Sequence, residues 1–165
     1  MVRTLAQAAA NCARNITAGI DPIITDRRTN ISPLIIGEDR VATLIDALKM
    51  GDCSQRVKAI CGLADMGVDA QAAVPALMEA MEDRDWVVRV AAITALGELG
   101  SAAGLAVPGL IEALEKDDIC VSAAIALGRI GKEAASAIEP LRRLKKRKQG
   151  FDCWCADEAL RAIKE

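Results

Sequence analysis

The chain has no histidine and no tyrosine, and its aromatic residues number three: Trp86, Trp154 and Phe151. Without histidine, Ser-His-Asp and Cys-His catalysis, histidine metal sites and histidine pH switches are all excluded. A large charge of one sign is also absent. The 21 basic and 23 acidic residues leave a net charge of -2, which argues against a general nucleic-acid binder. Long apolar runs are missing too. The longest uncharged stretch, 99–111, has thirteen residues and contains Pro108, short of the roughly twenty that a membrane-spanning helix needs. No membrane segment is expected.

Six cysteines occur, at Cys12, Cys53, Cys61, Cys120, Cys153 and Cys155. They lack the loop spacing of a secreted disulfide framework, and no secretory signal of normal form precedes them. They read as reduced thiols in a cytoplasmic protein. With no C-x-x-C and no histidine, no metal site is expected, and Cys153 and Cys155 would diverge by about 200° on a helix. Nothing in the sequence calls for a cofactor. The first twenty residues hold Arg3 and Arg14 and no acid, a pattern shared by transit peptides and plain amphipathic helices.

What the sequence has is aliphatic bulk: 52% of its 165 residues are apolar. One domain of closely spaced helices accommodates Ala, Val, Leu and Ile better than a β-sandwich with its bulky strand positions. Self-similarity fixes the arrangement. Ala73-Val74-Pro75-Ala76-Leu77 recurs as Ala106-Val107-Pro108-Gly109-Leu110, and Ala95-Leu96-Gly97-Glu98-Leu99-Gly100 as Ala126-Leu127-Gly128-Arg129-Ile130-Gly131. First-helix anchors Val41, Val74, Val107 and Ile138 are spaced 33, 33 and 31, and second-helix anchors Leu63, Leu96, Leu127 and Leu160 are spaced 33, 31 and 33. Two independent sets return one period, with a contraction in the turn around 116–119.

Each unit reads as a helical hairpin. Val74, Leu77, Met78 and Met81 share one face of a short helix, and Val88, Ala92, Ala95, Leu96 and Leu99 share one face of a second. Asp52 and Asp85 stand where a carboxylate caps the second helix, and Gly67, Gly100 and Gly131 where a left-handed residue ends it. Pro75 and Pro108 fall in first turns, where proline costs no hydrogen bond. One hairpin cannot bury its apolar face alone, so neighbours must stack and share a core.

The pattern A-V-P-x-L followed by D-x-x-V-R-x-A-A-x-x-A-L-G-x-[LI]-G, seen best over 85–100, resembles HEAT-like repeats of the short kind found in phycobilisome lyase subunits and many bacterial repeat proteins. The resemblance covers about 40–165 and implies an all-α, right-handed α-solenoid of about four hairpins, with repeats at about 40–71, 72–104, 105–135 and 136–165. Residues 1–39 would form an N-terminal helical and irregular capping segment. The family arginine is present as Arg56 and Arg89 but replaced by Cys120 and Cys153. Known HEAT-like hydroxylases use histidine ligands to iron, which this chain cannot supply.

The resemblance also implies that second helices line a concave face that holds partners. Two adjacent stripes of positions on that face read Val57, Val90, Val121, Trp154 and Cys61, Thr94, Ile125, Glu158, and are largely apolar. Such a strip marks a protein interface, with Trp154 the leading anchor. A second feature is the basic run Arg142, Arg143, Lys145, Lys146, Arg147 and Lys148, which reads as a solvated helix face or as a patch for an acidic partner. Acidic turns elsewhere leave head-to-tail association of copies open. The expected function is a non-catalytic adaptor that binds a protein segment on the concave strip. The alternative is a chromophore-handling, bilin lyase-like subunit or chaperone; binding of nucleic acid through 142–148 ranks below both.

Overall fold

The computed structural model describes residues 37–147 and 150–164. These form α1 (Gly37–Met50), α2 (Cys53–Asp65), α3 (Val74–Ala80), α4 (Trp86–Glu98), α5 (Val107–Ala113), α6 (Cys120–Ile130), α7 (Ile138–Arg147) and α8 (Phe151–Lys164). Three 3-10 helices, Gly67–Ala73, Gly100–Ala106 and Gly131–Ala137, join one hairpin to the next, and the described residues contain no strand. The expected capping segment lies almost wholly outside the described residues, as do Lys148 and Cys12.

Four hairpins, α1/α2, α3/α4, α5/α6 and α7/α8, stack so that α2, α4, α6 and α8 pack side by side. The predicted anchors are the centre of this stack. Leu63, Leu96 and Leu127 have no exposed surface, Leu160 retains 7%, and Val41, Val74 and Val107 are buried beside them. The four leucines and their neighbours form one continuous core with Ile60, Leu77, Ile93 and Leu110. Each such side chain stabilises the fold by about 1.5–3 kcal/mol through the water it sheds.

The local signals act mostly as predicted. Asp52 accepts from the Gln55 amide at 2.8 Å while Gln55 Oε1 accepts from the Asp52 amide at 2.8 Å, a reciprocal capping box. Pro75 and Pro108 lie in the first turns of α3 and α5. Gly67, Gly100 and Gly131 follow the second helices with φ of 56°, 59° and 73°, a region that L side chains avoid. The contraction also falls in the expected turn. It removes the first turn of the second helix, so that α6 starts at Cys120, the counterpart of Arg89, while Ile119 keeps its core position at 1% exposure.

Asp85 corrects one expectation. It occupies the N-cap position of α4 but makes no capping bond; its carboxylate is drawn away by Arg56 of the preceding repeat. Arg56 Nη1 donates to the Gly51 carbonyl at 3.0 Å and Nη2 to Asp83 Oδ1 at 3.2 Å, while Nε lies 3.1 Å from Asp83 Oδ2, off the hydrogen-bonding axis. Arg89 repeats this one unit on: it donates to the carbonyls of Asp83 (2.8 Å) and Arg84 (3.2 Å) and pairs with Asp118. A second set of bridges runs the other way. Lys116 pairs with Glu82 at 2.6 Å, and its counterpart Arg147 pairs with Glu115 and donates to the Leu114 carbonyl at 3.0 Å.

The Arg56 site is the one most sheltered from water, with side-chain exposures of 11% for Arg56 and 16% for Asp83. Arg56→Ala is therefore expected to cost about 2–3 kcal/mol, mostly by stranding Asp83. Arg129→Ala, whose pair with Glu98 spans 3.6 Å between half-exposed groups, should cost under about 0.5 kcal/mol. Urea unfolding of the two variants checks this; equal losses would contradict the assignment.

The layer of second helices is held tight by missing side chains. A Cβ on Gly97 would stand 2.9 Å from the Ala126 Cα, and one on Gly128 would stand 3.0 Å from the Ala159 Cα. Backbones approach this closely only where both partners are small. In the fourth repeat the same position is Arg161, which is exposed.

Candidate functional site

The second helices present a row of equivalent surface positions. Along this row the strip is not uniform. Val57 is 9% exposed and joins the core, one helical turn before the buried Ile60. It is thereby removed from the expected surface. Cys61, Val90, Thr94 and Val121 are half-buried, whereas Ile125, Trp154 and Glu158 are exposed. The accessible strip therefore runs from α4 across α6 to α8.

Two residues that sequence reasoning did not place extend it. Trp86, one helical turn before Val90, is 54% exposed, and its indole Nε1 donates to the Asp118 carbonyl at 3.3 Å. Phe151 stacks on Trp154, with ring centroids 5.7 Å apart and planes inclined by 21°. The four-residue step from Trp86 to Val90 and the three-residue step from Phe151 to Trp154 were the available signals. Val87 is also exposed beside Trp86. Thr94 adds no free donor, because its hydroxyl donates to the Val90 carbonyl at 2.9 Å.

The basic run is largely committed to the protein itself. Arg142 pairs with Glu139, Lys145 with Asp157 at 2.7 Å, and Arg147 with Glu115. Arg143 and Lys146 are exposed and have no ion-pair partner among the described residues. The acidic turns are neutralised likewise, since Glu82, Asp83, Asp85, Glu115 and Asp118 all bridge successive repeats.

Titration follows from these contacts. The hydrogen bond from Arg89, aided by its charge and that of Lys116, holds the Asp118 carboxyl below its ordinary value, and Lys145 does the same for Asp157. A lowered folded-state value stabilises the protein above the unfolded aspartate pKa of about 3.9 and is lost as pH falls through the folded value. Asp118→Asn should therefore unfold at slightly lower urea than the parent at pH 7, with the two converging as pH falls through the lowered folded-state value. A gap that widened on acidification would contradict the ion pair.

Burial pushes the Cys155 thiol up to about 11, reinforced by Asp152 and Cys120. Burial also raises Cys61, with Asp65 and Glu98 adding to the shift. Both stay protonated at neutral pH and make poor nucleophiles. Among the described residues no group of three His, Cys, Asp or Glu side chains converges as a metal site would require. A shallow depression between the first two hairpins, lined by Leu48, Lys49, Arg56, Ala76 and Glu79, is floored by the ion pair already described.

Stacked helical hairpins that share one core, with an accessible face built from equivalent positions, define an all-α solenoid. Residues 41–121 match the family model described as HEAT repeats, which supports a HEAT-like repeat protein. No curated protein matches the chain. HEAT repeats in general mediate protein–protein interactions and are usually non-enzymatic. Among the described residues no helix is long and apolar enough to cross a membrane.

Proposed function

We propose that the protein is a non-catalytic adaptor that holds a partner segment across the face of its second helices. The observation that carries this reading is the strip itself: Trp86, Val90, Val121, Ile125 and Trp154 stay accessible on three neighbouring helices whose equivalent core leucines are buried. A protein rarely keeps two tryptophans and an isoleucine in water on one face without a use for them. The basic run supports the same choice by default, since half of it is spent on internal ion pairs. No disulfide joins the described cysteines, which suits a reducing compartment such as the cytoplasm.

The test replaces apolar side chains at the centre of the strip. Val90→Lys/Val121→Lys should weaken capture of the partner from a cell extract at least about tenfold, the equivalent of about 1.4 kcal/mol. Its far-UV spectrum should be unchanged because both sites are only half-buried. Arg143→Glu/Lys146→Glu, on the opposite layer, should leave capture intact. A partner retained by the first variant and lost from the second would remove this reading.

A further inference from the structure

We draw no further inference here: the strongest candidate, the apolar face of the α1/α2 hairpin formed by Leu44, Ala47, Gly62 and Met66, half-buried where their counterparts in every later hairpin are buried, carries nothing because nothing in the structure shows what covers it.

Discussion

Leu96→Ala is expected to lower the unfolding free energy by about 3–5 kcal/mol, a large part of what a domain of this size has. The side chain has no exposed surface, and its counterparts Leu63 and Leu127 before and after it are equally buried. Truncation leaves a void that cannot collapse, because α4 is pinned on both sides by α2 and α6. The repeat supplies an internal control. Leu160 is the same residue in the last hairpin, has 7% exposure and faces a neighbour on one side only. Its truncation should cost about 2 kcal/mol. In a stack where each unit contacts only its neighbours, that ordering follows from position alone. Urea unfolding of the two variants checks it, and a larger loss at Leu160 would mean that the core is not shared in this way.

Gly97→Val should destabilise by at least about 3 kcal/mol, against the sign that helix propensity gives. Valine is favoured over glycine in a helix interior by a few tenths of a kcal/mol. Here its Cβ would meet the Ala126 Cα at 2.9 Å, a backbone atom that cannot rotate aside. The helices must separate, and the contacts around Leu96 and Leu127 loosen with them. Gly62→Ala is the contrasting case. Its Cβ would touch only the Leu44 methyl groups at 3.2 Å, which can shift, so the propensity gain of up to about 1 kcal/mol should largely survive. A thermal scan showing Gly97→Val as stable as the parent would refute close packing as the reason for glycine in the A-L-G motif.

How far the fold was legible depended on which residues carried the signal. Leucine and valine anchors repeat at fixed spacing because the same burial recurs in every hairpin, and they were read correctly. The 3-10 connectors were not foreseen, although Gly67, Ala70 and Ala73 recur as Gly100, Ala103 and Ala106 and as Gly131, Ala134 and Ala137. All six alanines are wholly buried. Their three-residue period is the 3-10 period, but alanine and glycine carry little hydrophobic contrast. Asp85 misled for another reason. A local capping rule sees four residues, and the arginine that claims its carboxylate lies 29 positions earlier. The same blindness made the basic run look like a surface patch, since Glu115 is 32 residues from Arg147.

The strip was legible as a register and not as a surface. Equivalent positions share a direction, yet Val57 is buried while Trp154 is exposed, because burial also depends on place along the stack. Trp86 escaped notice because it opens its helix, where the sequence shows a turn signal and an apolar residue together.

Site-specific photo-crosslinking in living cells tests the central claim most directly. A benzophenone side chain placed at position 125, on the second-helix face, should give a discrete adduct, and one placed at position 143, on the opposite layer, should give none. An adduct from position 143 with none from position 125 would contradict the account and move the binding surface to α7.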